Sequence, residues 1–140
     1  MNRPSRPDSA APAVARPLLA SRVEAGFPSP ADDYVERTLD LNEEVITHPA
    51  ATFFLRAGGR SMQGAGIHDG DLLVVDRSRD PEEGMVVVAV VDGEFTVKRL
   101  DRSEHGPILR AEHPGYAPIP IGPDTEVVIW GVVTWVLHRP

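Results

Sequence analysis

The sequence contains no cysteine, and this absence excludes several kinds of chemistry. Disulfide bonds, thiolate metal sites and a cysteine nucleophile are all ruled out. Long apolar runs are missing too, since the longest, residues 127–137, is about half as long as a membrane-spanning helix. The N-terminus lacks the continuous apolar stretch of a signal peptide. We therefore expect a cytoplasmic protein that makes no contact with a membrane.

Basic residues are also scarce, with 14 Lys and Arg against 21 Asp and Glu and a net charge of −7. Proteins that bind nucleic acids usually present a basic face to the phosphates, so we expect no direct, specific binding to DNA. The chain is rich in residues that interrupt helices and strands, with 14 Pro and 12 Gly among 140 residues. This composition predicts one domain of short elements joined by turns rather than a helical bundle.

The N-terminal region differs in character from the rest of the chain. Residues 1–16 are rich in Pro, Ala and Arg and are predicted to be a disordered tail. Residues 17–30 carry apolar side chains without a helical period, and Pro28 and Pro30 favour extended geometry in the residues before them. We predict a flexible, extended arm over residues 1–30, followed by one β-rich domain over residues 31–140. An N-terminal strand or a clasp between subunits is an alternative role for the arm.

The remainder of the chain reads mainly as β-structure. Runs rich in β-branched and aromatic residues, separated by Gly, Pro and Asp, predict strands at 51–57, 72–76, 85–91, 94–100, 108–111 and 127–137. The pair Asp92–Gly93 between two of these runs predicts a tight hairpin, because its turn requires positive φ angles. Between residues 32 and 48 we predict a short helix or turn around residues 34–41.

A glycine-flanked serine follows the first of these strands, where residues 58–62 read GGRSM. Glycines let backbone N–H groups converge on one point, and a serine in such a turn can present its hydroxyl beside an oxyanion site. Ser61 is therefore a candidate nucleophile. Taken alone, the pattern is more typical of a structural turn serine. It is not a nucleotide-binding loop, because the GxxxxGK[ST] pattern is absent.

A lysine in the predicted strand 94–100 is a candidate general base. Strand alternation puts Thr96 and Lys98 on one face and Phe95 and Val97 on the other. To act as a base near neutral pH, Lys98 needs a pKa lowered from about 10.4 to roughly 7. Arg99 should point to the opposite face, so burial must produce most of this shift. Taken alone, an exposed lysine on a hairpin is the simpler interpretation.

Five short blocks of sequence connect these features. They are GFPSPADDYVE at 26–36, GRSM at 59–62, DGDLLVVD at 69–76, VDGEFTVKRL at 91–100 and GVV at 131–133. In this order they resemble the UmuD branch of the LexA-like self-cleaving serine peptidases, over about residues 17–137. The resemblance implies a mainly β fold, with a LexA/UmuD-type C-terminal peptidase domain that follows an extended N-terminal arm.

The same resemblance implies a role for each matching residue. Ser61 corresponds to the nucleophile and Lys98 to the general base of a serine–lysine dyad. The backbone amides of Arg60 and Ser61 correspond to the oxyanion hole, and the Ala25–Gly26 bond corresponds to the cleavage site. No metal and no other cofactor is implied. Ala25 and Gly26 are small, which suits a chain that must bring its own backbone close to a nucleophile.

The resemblance also implies partners and a setting. Members of this branch form homodimers and act in the SOS response to DNA damage. A RecA filament on single-stranded DNA stimulates their self-cleavage. The trimmed product then joins a UmuC-type polymerase subunit as the accessory subunit of an error-prone translesion polymerase. We expect the same partners for this chain.

Two features depart from the resemblance, and other functions remain open. Arg60 stands where relatives carry an acidic or apolar residue, and residues 1–15 match no part of the family pattern.

One alternative is a non-catalytic module that docks to a polymerase or a RecA filament. Another is a fragment of a LexA-type repressor, although the 25 residues before the cleavage site are too few for a helix-turn-helix domain. A peptidase that cuts other proteins is a further alternative.

Other residues that attract notice have simpler interpretations. Asp69–Gly70–Asp71 is typical of a turn before a strand rather than of a metal site. Trp130 and Trp135 lie five residues apart on a predicted strand, so one should be in the core and the other at the surface, where a subunit interface is one possibility. No histidine has an obvious serine partner in the sequence; the five are His48, His68, His105, His113 and His138.

Overall fold

A computed structural model describes residues 5, 7, 11–20, 22–27 and 34–140, which fall into two compact units. The larger unit combines Ser5 and Pro7 with residues 48–140, and the smaller unit lies between residues 8 and 47. The predicted boundary between arm and domain, at residues 30 and 31, lies outside the described residues and stays a prediction. Half of the predicted disordered tail, namely residues 1–4, 6 and 8–10, also lies outside them.

The smaller unit is an antiparallel pair of strands, β1 at Ala15–Leu19 and β2 at Val35–Asp40, followed by the short helix α1 at Leu41–Val45. The predicted tail was therefore wrong at its last two residues, 15 and 16, which belong to β1. The part of the arm at residues 22–27 is exposed and contains neither helix nor strand.

Strand β2 corrects the helix or turn predicted around residues 34–41. The antiparallel pairing of VERTLD with the partner strand β1 stabilises an extended conformation here, although most of its residues are polar. The helix begins only at Leu41, because the carboxylate of Asp40 accepts the backbone N–H of Asn42 at 3.0 Å and caps the first turn.

The larger unit contains a seven-stranded antiparallel sheet in the order β3-β4-β9-β5-β6-β7-β8. The strands are β3 at Thr52–Arg56, β4 at Leu72–Asp76, β5 at Val86–Val91, β6 at Glu94–Ser103, β7 at Gly106–Arg110, β8 at Ile119–Pro120 and β9 at Val127–Leu137. Short 3-10 helices occupy Pro49–Ala51 and Gln63–Ala65. All six predicted strands of the domain are present, and the mainly β fold class is confirmed. Strand β8 is only two residues long and has too weak a pattern to be predicted.

The hairpin between β5 and β6 is formed as its turn residues indicate. Asp92 and Gly93 both have positive φ, at 50° and 81°, and Val91 pairs directly with Glu94. This register places Lys98 opposite Val87 in the interior of the sheet. The turn therefore determines where the candidate base lies.

Apolar residues cover the sheet in two clusters. Val88 of β5 belongs to one cluster, and its neighbours Val87 and Ala89 belong to the other. Because successive side chains of a strand point to opposite faces, both faces of β5 are buried. This explains why residues 86–91 form a continuous apolar run.

Four polar side chains are buried in this unit, and each has hydrogen-bond partners. Thr52 donates to the carbonyl of His48, Asp76 accepts from Ser78 and pairs with the His48 ring, and Asp71 pairs with the His138 ring. The fourth is Lys98. Within the described part of the chain, no buried side-chain nitrogen or oxygen lacks a partner.

The two tryptophans differ in burial, as predicted. Trp130 packs edge-on between Phe53 and Phe95, with ring centroids 5.3 and 5.2 Å away. Trp135 is 46% exposed. A subunit interface at Trp135 stays a prediction. None of the helices in the described residues is long and apolar enough to cross a membrane.

Candidate active site

Ser61 and Lys98 meet in the larger unit, although 37 positions separate them in the sequence. Ser61 lies in the turn after β3, and Lys98 lies on β6. The Nζ of Lys98 donates a hydrogen bond to the Oγ of Ser61 at 3.0 Å. A nucleophile and a base at this distance satisfy the geometric requirement for proton transfer between them.

Lys98 is the only lysine in the sequence, and its side chain is almost entirely buried, with 8% of its surface exposed. Burial penalises the charged ammonium and lowers the pKa of Lys98 below its ordinary value. The neighbouring Arg99 points elsewhere, to the carboxylate of Glu112 and the carbonyl of Gly84. The expectation that burial rather than Arg99 shifts the pKa is therefore confirmed.

The other hydrogen bonds of Lys98 orient its amine. Nζ donates to the hydroxyl of Thr96 at 2.9 Å and to the carbonyl of Val97 at 3.1 Å, in addition to Ser61. An ammonium has three N–H donors, and three oxygens accept them. A neutral amine has only two, so with Thr96 and Val97 as acceptors its lone pair would face the Ser61 hydroxyl. The same contacts thus suit both protonation states.

The turn that carries Ser61 is held by the backbone of Glu112. The N–H of Glu112 donates to the carbonyl of Ser61 at 2.8 Å, and its carbonyl accepts the N–H of Gly64 at 2.8 Å. This close approach requires glycine, because a Cβ at position 64 would lie 2.6 Å from the carbonyl oxygen of Glu112. The GQGAG stretch after the serine therefore has a packing role.

The side chain of Glu112 is itself anchored by two arginines. Its carboxylate accepts from the Nε of Arg99 at 2.5 Å and from Arg110 at 3.2 Å. These contacts, with the Arg99 hydrogen bond foremost, lower the pKa of Glu112 and keep it ionised. Arg99 lies next to Lys98 in β6, so the same strand positions Lys98 and anchors the residue that holds the turn of Ser61.

A second support comes from the turn before β4. The carboxylate of Asp69 accepts the N–H of Gly59 at 2.8 Å, two residues before Ser61. Asp71 follows in the same turn, and its N–H donates to the carbonyl of His68 at 3.0 Å. Burial would raise the pKa of Asp71, but hydrogen bonds from the His68 N–H and the His138 ring lower it on balance. The interpretation of this motif as a turn is confirmed.

The backbone amides of Arg60 and Ser61, the candidate oxyanion donors, lie at the start of the turn that carries the candidate nucleophile. Within the described residues, neither amide donates to a protein group. Two free N–H groups beside a serine are what an oxyanion site needs. The side chain of Arg60 is exposed, so its charge does not lie in the buried environment that surrounds Lys98.

A cleft of about 470 Å³ opens beside Ser61. Its walls come from β3 with the turn after it, from β4 with the turn before it, and from β5 and β6. Ser61, Asp69 and Thr96 supply polar groups, while Leu55, Leu73, Val88, Phe95 and Val97 supply apolar surface. A cleft of this composition suits an extended peptide with small or apolar side chains.

The predicted cleavage site belongs to the smaller unit, in the loop that joins β1 to β2. A Cβ placed on Gly26 would have no atom within 4 Å. Val23 and Phe27, which flank the bond, are 98% and 90% exposed. The backbone at Ala25–Gly26 is therefore unobstructed in its own unit.

Two supporting residues could not have been found by the sequence reasoning. Glu112 acts through its backbone, which has no sequence signature, and Asp69 resembles any turn aspartate. For the candidate base, the available signal in the sequence was that Lys98 is the only lysine. Among the described residues no group of three or more His, Asp or Glu side chains is arranged to hold a metal ion.

Comparison with known proteins now gives this site a context. The family model described as Peptidase S24-like matches residues 17–134. The chain belongs to this family. Proteins similar to this chain include the protein ImpA of Salmonella typhimurium, which is 49% identical over 99% of this chain and 93% of its own length. The protein MucA of Escherichia coli is 49% identical over 84% of this chain and 81% of its own length.

A more distant S24 relative is LexA repressor 1 of Pseudomonas syringae pv. tomato. It is 40% identical over 86% of this chain, which covers 60% of the repressor. The resemblance to the UmuD branch is confirmed by these relatives. The S24 family membership places the chain among SOS-related, self-cleaving serine peptidases.

The contact between Gly64 and Glu112 makes a prediction about self-cleavage. In Gly64→Ala the added Cβ must push Glu112 away, which displaces the turn that carries Ser61. Since misplacement of about 1 Å can cost about 100-fold in rate, we expect self-cleavage at alkaline pH to slow by roughly 10- to 100-fold. The rate is measured by intact mass over time, under conditions where the variant is folded by circular dichroism.

The matched control is Gly122→Ala, because a Cβ there meets no atom within 4 Å. We expect this variant to cleave at the rate of the unsubstituted chain. If Gly64→Ala cleaves as fast as Gly122→Ala, then the backbone contact with Glu112 does not position the nucleophile.

Proposed function

We propose that this chain is a serine endopeptidase that cuts its own Ala25–Gly26 bond with a dyad of Ser61 and Lys98. The observation that carries the proposal is the 3.0 Å contact between a turn serine and a buried lysine of lowered pKa. Membership of the Peptidase S24-like family supports self-cleavage as the reaction.

The first half of the reaction is acylation. Neutral Lys98 takes the proton from the Ser61 hydroxyl as Oγ attacks the carbonyl carbon of Ala25. The amides of Arg60 and Ser61 donate to the oxyanion that forms on the carbonyl oxygen. Lys98, now an ammonium, gives its proton to the nitrogen of Gly26 as the peptide bond breaks. The products are an ester between Ala25 and Ser61 and a free amino group on Gly26.

The second half is hydrolysis of that ester. Lys98, neutral again, takes a proton from a water molecule that attacks the Ala25 carbonyl. The ester bond breaks, Ser61 recovers its proton, and the N-terminal fragment leaves with a carboxylate on Ala25. One water molecule is consumed. The reaction needs no metal and no histidine, and both His48 and His138 pair with buried aspartates instead.

The loop around Ala25 and Gly26 supports the choice of scissile bond. Both residues are small, and the neighbouring side chains of Val23 and Phe27 are exposed in their own unit. In an extended segment Val23 and Ala25 share one face, so both can point to the apolar wall of a cleft such as the one beside Ser61. The proposed cut at this bond would remove the first 25 residues and leave the rest of the chain intact, unlike general proteolysis.

We further propose that the cut converts the chain from a latent form to the accessory subunit of an error-prone translesion polymerase. The UmuD-like relatives suggest the mutagenesis polymerase system as the context. In this proposal a homodimer in the cytoplasm meets a RecA filament on single-stranded DNA, which accelerates self-cleavage. The trimmed dimer then binds a UmuC-type polymerase subunit.

Two alternatives receive less support. In a non-catalytic docking module the contact between Ser61 and Lys98 would have no purpose, and burying the only lysine would be an unnecessary cost. In a LexA-type repressor the relationship to the compared repressor should be closer than to ImpA or MucA, whereas the identity is 40% against 49%.

The proposed dyad predicts which variants cleave. The unsubstituted chain, incubated with RecA, ATP and single-stranded DNA or at alkaline pH, should yield fragments ending at Ala25 and beginning at Gly26. Ser61→Ala should remove the nucleophile and Lys98→Ala the base, so both should stay intact. Intact mass spectrometry before and after incubation checks this.

Ser103→Ala is a suitable control and should cleave normally. The Ser103 hydroxyl lies at the end of β6, where it donates to the carbonyl of Gly106 and accepts the N–H of His105. Cleavage of Ser61→Ala at an undiminished rate would overturn the dyad. Full lesion-bypass activity in uncut Ser61→Ala and Lys98→Ala would favour the docking module.

The protonation state of Lys98 predicts the pH profile of self-cleavage. Only the neutral amine accepts a proton, and below the pKa its fraction falls about tenfold per pH unit. The rate without RecA should therefore rise with pH and level off. Since burial lowers the pKa of Lys98, the midpoint should lie below the ordinary lysine value of about 10.4. A rate that is independent of pH, or that falls as pH rises, would contradict this assignment.

A further inference from the structure

Strand β3 forms one edge of the seven-stranded sheet. Its inner neighbour is β4, and beyond β3 no further strand follows in the described residues. Edge strands leave a row of backbone N–H and C=O groups free to pair with other polypeptide, and proteins commonly cover such edges. Strand β3 also leads into the catalytic cleft, whose wall includes Leu55, Arg56 and Ala57.

The backbone of β3 presents alternate residues to this open side. The N–H of Ala57 donates to the carbonyl of Asp71 at the start of β4. Backbone groups of every second residue point the same way in an antiparallel pair, so the N–H and C=O of Leu55 also face β4. Phe54 lies between these residues, so its backbone N–H and C=O point away from β4. Its two backbone groups are therefore available to a strand added at the edge.

Ser5 occupies this position. The N–H of Phe54 donates to the carbonyl of Ser5 at 2.8 Å, and the N–H of Ser5 donates to the carbonyl of Phe54 at 3.3 Å. This is an antiparallel bridge, and it belongs to the same compact unit as the sheet. A residue near the N-terminus thus pairs with the strand that leads to the nucleophile.

The sequence explains why the pairing stops on one side of Ser5. In this antiparallel register the next outward pair would be Pro7 with Thr52. Pro7 has no N–H to donate. The N–H of Thr52 already donates to the carbonyl of Pro49. Both the tail and the edge strand therefore allow a short bridge here rather than a long strand.

We propose that the N-terminal segment at Ser5 caps the open edge of β3, and that self-cleavage releases this cap. The second part rests on the proposed function, because a cut at Ala25–Gly26 leaves Ser5 on one fragment and Phe54 on the other. The occupant of the edge is thus a segment of the chain itself. Its loss leaves β3 open to strand addition by an extended peptide segment.

The cap depends on the covalent link. Two hydrogen bonds hold Ser5 in place only while the tether keeps its local concentration high, at about millimolar for a flexible chain. The fragment also contains β1, which pairs with β2. An isolated two-stranded sheet is marginally stable in water, and both strands are largely exposed, so this pairing does not retain a severed fragment.

Hydrogen exchange at the amide of Phe54 tests the cap in the uncut chain. In the Ser61→Ala background, Ser5→Pro removes the N–H that donates to Phe54, whereas Ser5→Ala keeps it. We expect the Phe54 amide to exchange about tenfold faster or more in Ser5→Pro and at an unchanged rate in Ser5→Ala. The Leu55 amide, which faces β4, should be unaffected in both.

Equal exchange of Phe54 in Ser5→Pro and Ser5→Ala would overturn the cap. A rise of similar size at Phe54 and Leu55 would mean general loosening of the sheet and would also count against it. This comparison uses uncut protein, so it stands even if self-cleavage does not occur.

The release is tested in the chain with Ser61 intact, before and after self-cleavage followed by intact mass. We expect the Phe54 amide to exchange about tenfold faster or more in the cleaved product, with Leu55 unchanged. If the mass shows cleavage and Phe54 exchange does not change, then the release is wrong while self-cleavage stands. If no cleavage occurs, then the release is overturned together with the proposed function.

Discussion

The burial of one lysine beside one serine is the constraint on which the rest of this structure depends. An ammonium is costly to bury, and Lys98 is tolerated because three oxygens accept its hydrogen bonds. The same burial lowers the pKa of Lys98, which is the change that the proposed role of this lysine as a base requires. The burial of Lys98, which destabilises the fold, is thereby the source of its proposed chemistry.

The fold keeps this arrangement in place through backbone contacts to the turn that carries Ser61. Glu112 holds the turn from one side through Ser61 and Gly64, and Asp69 holds the preceding Gly59. Arg99 joins these supports to β6, because it follows Lys98 in the strand and binds the carboxylate of Glu112. Ser61 and Lys98 are thus positioned by one connected set of contacts, which is what precise proton transfer requires.

Local patterns in the sequence predicted most of the sheet, because runs such as 72–76 and 86–91 and the Asp92–Gly93 turn determine their own conformation. They did not predict β2, whose charged residues form a strand only through pairing with the distant β1. The dyad emerged from the resemblance of several blocks, since Ser61 and Lys98 each look ordinary alone. The contacts of Glu112 and of Ser5 run through the backbone, and pairings between distant backbone groups carry no side-chain pattern.

The most direct test of the account is the pKa of Lys98 itself. Because it is the only lysine, labelling with ¹³Cε-lysine gives one side-chain signal that can be followed with pH by NMR. The chain should carry Gly26→Pro, which keeps both site residues and replaces the proposed scissile amide. We predict a midpoint clearly below about 10.4 in the folded chain, and a return to about 10.4 when the chain is unfolded in urea. A folded-state pKa at or above that value would contradict the role of Lys98 as the base.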